Sequence, residues 1–335
     1  MSRHVRFGFS IDFRNPKIFQ QTPVDYYAEM LDFITWAETL GYEGVWMPEH
    51  HGVEEDDYPP SPLVIASAIL ARTKTMRVGS GVMLAPLYHP VRLAEDVALI
   101  DVMSNGRIEL AMGIGYLPAE TDAYGVEYKT RARRTDEVIQ IVRKLLAGEE
   151  VTWKSEFFDI KKARVFPQPV QRGGVPIFVG ALSEPGYRRA ARFGDGYCGP
   201  LESWPAYLQA VKNEGKSEDD ARLHLIGATD MWTFVADDVD KAWEEIAPHG
   251  FYYSDTYARW QEGTAWGLKK LDIAEFRQSG IMKVLTPEDA IPHFRARMAM
   301  APMETFALKV PTGMKPSKFK PYAETFATKV LPHLR

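Results

Sequence analysis

The chain has 335 residues, with 40 lysines and arginines against 45 aspartates and glutamates, for a net charge of −5. That length can bury a large core and suits an eight-fold α/β barrel with insertions, while the mild acidity argues against nucleic acid or an anionic membrane as partner. The single cysteine, Cys198, excludes an internal disulfide and any cysteine-rich metal site, and fits a reducing compartment.

The opening apolar run, Val5 to Ile11, is too short for a signal segment and has no small-residue cleavage site after it. No uninterrupted apolar stretch approaches ~18 residues, so no span is expected and a soluble, cytoplasmic protein is. Val5–Ile11 reads as a first strand. Thr22-Pro23 starts a helix that runs to Gly41, with Tyr27, Met30, Leu31, Ile34 and Ala37 on one face. Gly44-Val45-Trp46-Met47 is a short buried strand stopped by Pro48 and followed by Glu49-His50-His51, the look of a parallel strand's carboxyl end. Ser61-Pro62 opens a helix through Leu70, Met76–Leu84 is a third strand, His89-Pro90 opens a helix to about Met103, and Ile108–Met112 is a fourth strand. Four such units in just over a hundred residues point to a parallel sheet.

In the second half, Thr130–Leu146 is a helix and Val151–Phe166 a hairpin-rich excursion. Pro176–Val179 and Asp195–Cys198 are the fifth and sixth strands, separated by a helix over Ser183–Phe193. Leu225–Val235 is read as the seventh strand, and Asp237-Asp238 cap a helix through Ile246. The aromatic-rich stretch His249–Ile281 (Phe251, Tyr252, Tyr253, Tyr257, Trp260, Trp266) fits no barrel element and is read as an inserted lid. Thr286-Pro287 restarts a helix, Thr305–Val310 is the eighth strand, and Phe319–Leu334 a closing helix. The sum is a (β/α)8 TIM barrel with inserted segments, including that aromatic lid before the last barrel strand, in one domain over residues 1–335.

Three stretches carry candidate chemistry. Glu49-His50-His51 is weak as a metal site, because neighbours on an extended chain point to opposite faces; one of its histidines could serve as acid or base, and a pair of backbone-bonded loop histidines is the plain alternative. Glycines 79 and 81 inside a strand pattern mark either a close-approaching ligand or a β-bulge, and Gly113-Ile114-Gly115 marks a ligand or a tight turn without being a dinucleotide fingerprint. Gly180-Ala181-Leu182-Ser183-Glu184-Pro185-Gly186 opens a helix, so its N–H groups and the Ser183 hydroxyl make either a phosphate-sized anion site or an ordinary cap, with Tyr187, Arg188 and Arg189 in reach.

Together these stretches resemble the bacterial luciferase-like monooxygenase family. The resemblance is carried by Glu49-His50-His51-Gly52, by Pro86 with His89-Pro90-Val91-Arg92-Leu93-Ala94-Glu95-Asp96, and by Leu99-Ile100-Asp101-Val102-Met103-Ser104-Asn105-Gly106-Arg107. Gly113-Ile114-Gly115, Pro167-Gln168-Pro169-Val170-Gln171, Asp195-Gly196 and Val330-Leu331-Pro332-His333-Leu334-Arg335 extend it over nearly the whole chain.

The resemblance implies a TIM barrel binding a flavin at its carboxyl end, with reduced FMN and O2 giving a C4a-peroxyflavin that oxygenates a small, apolar or weakly polar substrate. It makes His50 the catalytic residue, with Glu49 and His51 assisting. Ser80, Gly81, Val82, Met83, Gly113, Gly115, Gly180, Ala181, Leu182, Ser183, Gly186 and Tyr187 become the cofactor contacts, with a non-prolyl cis peptide near Gly81-Val82. Trp46, Tyr116, Trp232 and the lid aromatics would shape the substrate pocket. No metal is expected. With no NAD(P)H fingerprint in the chain, reduced FMN must come from a separate NAD(P)H-dependent flavin reductase, and relatives imply a homodimer. Two departures bear on function. Gly113 and Ile114 stand where luciferases carry a reactive cysteine and an arginine, so light emission is not implied. Gly115-Tyr116-Leu117-Pro118-Ala119-Glu120 resembles relatives that use a deazaflavin for hydride transfer, which keeps a deazaflavin-dependent oxidoreductase as the alternative, beside a non-catalytic flavin-binding protein.

Overall fold

The structure, a computed structural model, describes residues 4–226, 229–263 and 267–335. Eight parallel strands close on themselves: β1 (Arg6–Ser10), β2 (Gly44–Met47), β3 (Arg77–Ser80), β4 (Ile108–Gly113), β5 (Ile177–Gly180), β6 (Gly196–Cys198), β7 (Leu223–Leu225) and β8 (Met303–Lys309). Their order around the sheet is β3-β2-β1-β8-β7-β6-β5-β4, and β3 pairs back onto β4 to close the barrel. The β1–β8 register sets Phe7 beside Phe306 and Ser10 beside Lys309, so the last pair stands at the carboxyl mouth.

The surrounding helices are α1 (Pro23–Thr39), α2 (Pro62–Arg72), α3 (Pro90–Ser104), α4 (Pro118–Ala123), α5 (Arg131–Leu146), α6 (Glu184–Phe193) and α7 (Trp204–Asn213). After β7 come α8 (Val239–Trp260), α9 (Ile273–Gln278) and α10 (Pro287–Met298), and α11 (Pro316–Thr325) follows β8. Most begin with proline in the first turn, where its fixed φ is pre-organised and its missing N–H costs nothing. On α1 the buried stripe is Tyr26, Met30, Phe33, Ile34 and Ala37; Tyr27 and Leu31 are only half-buried.

Strand alternation divides β2 between two cores: Val45 and Met47 face the helices, while Trp46 points into the barrel with Ala111, Phe178, Cys198, Ile226 and Ala307. The Trp46 indole N–H donates to Glu109 Oε1 at 2.7 Å. Glu109 Oε2 accepts from Arg6 at 3.0 Å and Arg77 at 2.8 Å, so the amino-terminal end of the barrel is closed by a charge-paired plug. His224 stacks on Phe178 beside it, ring centroids 3.4 Å apart.

Three expectations are corrected. The seventh barrel strand is Leu223–Leu225; Thr233–Val235 instead pairs in parallel with Lys283–Leu285 outside the barrel, where Phe234 meets Phe319 of α11 edge-on. Both stretches are short apolar runs, and only their neighbours tell them apart. The helix expected to stop at Ile246 continues through Pro248 to Trp260, so the first half of the expected lid is the second half of α8. An interior proline costs about 3 kcal/mol. Here the turns beyond it bury Gly250, Ser254, Thr256 and Ala258, and Gly250 packs so closely that a Cβ there would sit 3.0 Å from Met282 and 3.2 Å from Phe276. Finally, α7 was not anticipated, although Trp204, Tyr207, Ala210 and Val211 bury one helical face. The Trp266 of the expected lid lies outside the described residues. Among the described residues no helix is long and apolar enough to cross a membrane.

Candidate active site

The carboxyl mouth of the barrel opens into a cavity of about 470 Å3. On one side lies a shelf formed by Val82. The Gly81–Val82 peptide is cis, and the Val82 side chain rests between β4 and β5 on the inner residues of the barrel. The two flanking glycines make room for it: a Cβ on Gly113 would lie 2.7 Å from Val82 Cγ2, and one on Gly180 only 2.6 Å from Cγ1. Glu49 braces the chain beyond the shelf. Its Oε2 accepts from the Leu84 N–H at 2.6 Å, its Oε1 from the Tyr88 hydroxyl at 2.7 Å and from His51 Nε2 at 3.0 Å, and its own N–H donates to Val82 O at 3.2 Å.

His50 stands on the same wall, 4% exposed. Its Nδ1 donates to Glu120 Oε1 at 2.8 Å, and that oxygen also accepts the His51 backbone N–H at 2.9 Å. This fixes the ring orientation and leaves Nε2 as the atom offered to the cavity, with the Tyr116 hydroxyl 3.4 Å away. The aromatic rings of Tyr58, Tyr116, Tyr257 and Trp260 surround the imidazole at centroid distances of 5.0–6.0 Å. Burial pushes the Tyr116 phenol up, so it remains a proton donor at neutral pH. His51 points the other way: Nε2 is spent on Glu49 and Nδ1 accepts from the Tyr124 hydroxyl at 3.1 Å.

From the flank of the shelf, Gly180 leads through Ala181, Leu182 and Ser183 to Gly186 in the turn into α6, which lines the cavity beyond. Ser183 is the N-cap residue, and its side chain makes no cap hydrogen bond, so its hydroxyl is available to a ligand. Gly186 lets the helix close on this turn, since a Cβ there would sit 2.7 Å from that of Ala181. Arg189 and Arg131 line the same end; the first is paired with Asp136, and the second donates to Gly115 O at 3.1 Å. A turn with open N–H groups at a helix start, a free hydroxyl and two arginines fits the phosphate of a mononucleotide cofactor, and the glycine-flanked shelf fits a flat ring.

Several expected residues lie elsewhere. Trp46 is below the shelf, in the barrel interior, because its strand position points inward. Trp232 is a layer back, packed on Tyr253 with centroids 4.9 Å apart. The Ser80 hydroxyl donates to Ala111 O at 2.8 Å and accepts the Ala111 N–H at 2.9 Å, tying β3 to β4. Met83 alternates outward into the helix-facing core, Tyr187 turns its hydroxyl to Ser203, and Arg188 is exposed. Residues the sequence reading did not single out for the site are Glu120, Lys309, Ser10, Arg131 and Gln261. For Glu120 the available signal was an acidic residue in the first turn of α4, common at any helix start.

A closed parallel barrel whose carboxyl mouth holds a cofactor-sized cavity with a buried histidine has the layout of a cofactor-dependent barrel enzyme. The chain belongs to the luciferase-like monooxygenase family, whose model matches residues 5–297. The oxygenase component of the flavin-dependent trigonelline monooxygenase of Acinetobacter baylyi is 30% identical over 164 residues, 48% of this chain and 45% of that protein. An F420-dependent glucose-6-phosphate dehydrogenase of Microbacterium testaceum is 33% identical over 175 residues, 50% of this chain and 51% of that protein. The chain thus spans about half the length of these curated relatives. In fold, monooxygenase RslO1 of Streptomyces bottropensis superposes with a TM-score of 0.81 at 23% identity, covering 99% of this chain and 100% of that one. The family therefore includes both flavin-dependent and F420-dependent oxidoreductases.

Proposed function

We propose that this protein, read as one barrel domain over its 335 residues, is a monooxygenase. In this reading it takes reduced FMN from a separate NAD(P)H-dependent reductase and uses O2 to oxygenate a small organic substrate. The observation that carries the reading is His50 held by Glu120, with Nε2 turned into the cavity above the Val82 shelf. Gly113, Gly115 and Val82 would receive the ring system, and Gly180, Ala181, Leu182, Ser183 and Gly186 the phosphate. When bound, the reduced flavin supplies the electrons that activate O2.

The chain's own residues do the rest. His50 Nε2 accepts or returns a proton at the reacting end, with its orientation held through Nδ1. The Tyr116 hydroxyl donates beside it. Tyr253 and Tyr257 on one face of α8, with Gln261 at its C-cap, close the far wall and keep bulk water out. Glu49 and His51 act by position, bracing the segment that carries the shelf. A homodimer and the reductase are the partners this reading carries; the second is supported by a relative that is itself named an oxygenase component.

A second reading, hydride transfer from a reduced deazaflavin without oxygen, is favoured by the His50–Glu120 pair, which can pass a proton to a carbonyl oxygen, and by the F420-dependent relative. Parallel anaerobic titrations with reduced FMN and reduced deazaflavin test the choice. Tight binding of FMN, weakened by Gly186→Ala, is the expected result. Binding of the deazaflavin alone overturns the FMN assignment.

A further inference from the structure

The cavity has a third functional end, at the seam of β1 and β8. Lys309 is 1% exposed, yet it lines the cavity beside its register neighbour Ser10. Its Nζ donates to Asp12 Oδ2 at 2.9 Å and lies 4.9 Å from the centre of the Tyr253 ring. An ammonium has three N–H bonds, and Asp12 is already shared: Oδ2 also accepts from Thr312 Oγ1 at 2.6 Å, and Oδ1 from the Arg14 backbone N–H at 3.3 Å. Behind this pair sits Arg14, fully buried, ion-paired with Asp56 and enclosed by the rings of Tyr58, Tyr252 and Trp260. Its Nε and Nη1 have no hydrogen-bond partner among the described residues.

Arg14 does not line the cavity, so the donors this end offers are the Lys309 ammonium and the hydroxyls of Ser10, Tyr253 and Tyr257. Burial pushes the Tyr253 and Tyr257 phenols up, so both keep their protons; the two hydroxyls are bonded to each other, which leaves one proton of the pair for a ligand beside the Lys309 ammonium. Among the described lining residues the only carboxylate is Glu49, and its oxygens are taken by Leu84, Tyr88 and His51; against it stand Lys309, Arg131 and Arg189. Arg131 and Arg189 lie at the phosphate end, which leaves Lys309 as the cation of the substrate half. Buried donors of this kind are normally matched. An acceptor-bearing ligand would match them, and the surrounding rings favour a flat one.

We propose that Lys309, Ser10 and the phenols of Tyr253 and Tyr257 form a subsite for an anionic oxygen on an aromatic substrate, a carboxylate or a phenolate. This names the substrate class of the oxygenation reading and rests on it. It adds to the largely apolar lining one wall that carries hydroxyls and an ammonium. Asp12 is a positioning residue, holding Nζ at the cavity edge, and Arg14 supports Asp12 from behind.

The test is equilibrium binding to the protein loaded with oxidised FMN, using benzoate against benzamide, and ionised 4-nitrophenol against 4-nitroanisole. An anion should bind at least about tenfold more tightly than its neutral isostere, the order a charge-assisted hydrogen bond supplies. The benzoate and nitrophenolate arms decide between carboxylate and phenolate. Lys309→Met should abolish the preference while leaving FMN affinity within about twofold, a change under ~0.4 kcal/mol. Because that variant strands Asp12, the double variant Asp12→Asn with Lys309→Met is measured beside it. Equal binding of both isosteres, or a preference that survives in both variants, overturns the subsite. A loss falling on FMN instead assigns Lys309 to the cofactor and also overturns it. FMN that fails to bind the unaltered protein defeats the oxygenase reading alone, and the probes are then titrated into the flavin-free protein.

Discussion

Replacing Gly180 by alanine tests the shelf most sharply. The added methyl would sit 2.6 Å from Val82 Cγ1, against an ordinary carbon–carbon contact of about 3.5–4.0 Å, so Val82 must move by about 1 Å. The barrel interior below holds Ile226, Phe178 and Ala111 in close packing, so the way left open is upward, into the cavity. In the flavin-free protein that movement costs little. With a ring seated on the shelf it is blocked, and overpacking of about 1–3 kcal/mol appears as lost affinity, roughly 5–150-fold. Fluorescence titration with FMN reads the affinity, and urea unfolding of the apoprotein reads the stability. The double variant Gly180→Ala with Val82→Ala removes the colliding methyls and should regain most of the binding, with a coupling of about 1–3 kcal/mol. Affinity within about twofold of the parent for Gly180→Ala, a shift under ~0.4 kcal/mol, or a double variant no better than the single, would refute the placement of the ring on Val82.

Other consequences follow from the same geometry. His50→Ala should raise hydrogen peroxide released per flavin oxidised, measured with a peroxidase-coupled assay, whereas His51→Ala should change it less; the reverse ranking would show that the wrong ring was chosen. Glu49→Ala leaves three hydrogen-bond donors without their acceptor and should cost about 3 kcal/mol or more in urea unfolding, at ~1–3 kcal/mol per stranded buried group. For acid stability, burial opposes ionisation of Glu304, but hydrogen bonds from His224 and a bidentate Arg222 hold its carboxyl down at about 2. A carboxyl depressed in the folded state stabilises above its unfolded value of about 4.5 and loses that contribution as the pH falls towards 2, so Glu304→Gln should flatten the stability curve between those limits. After discounting for solvent screening the effect should be about 1–2 kcal/mol. His224, pulled below its ordinary value by burial, adds a second loss as the pH drops below about 6.5, because the unfolded chain takes up a proton that the folded one refuses.

Much of this was legible in the sequence, because barrel strands are short apolar runs followed by polar termini. The β2 terminus with His50, the glycines around Val82 and the turn at Ser183 could all be located from that pattern. Long-range partners were not legible. Glu120 reaches His50 across 70 residues, and Asp12 reaches Lys309 across 297, from two chain ends that meet only when β1 pairs with β8. Trp46 was misplaced because periodicity says a strand has two faces, not which one is the barrel interior. The α8 error has another origin: the helix expected to end at Ile246 runs on through Pro248, because packing that sequence spacing does not display outweighs the proline's local cost.

The central claim is that this cavity uses a reduced flavin to activate oxygen beside His50. Rapid mixing of the anaerobic complex of protein and reduced FMN with oxygenated buffer tests it most directly, followed by absorbance. The account predicts an oxygen-dependent transient, distinct from reduced and oxidised flavin, that outlasts the reaction of free reduced FMN and is shortened by His50→Ala. Direct conversion to oxidised flavin at the rate of free FMN, the same in both proteins, would contradict it.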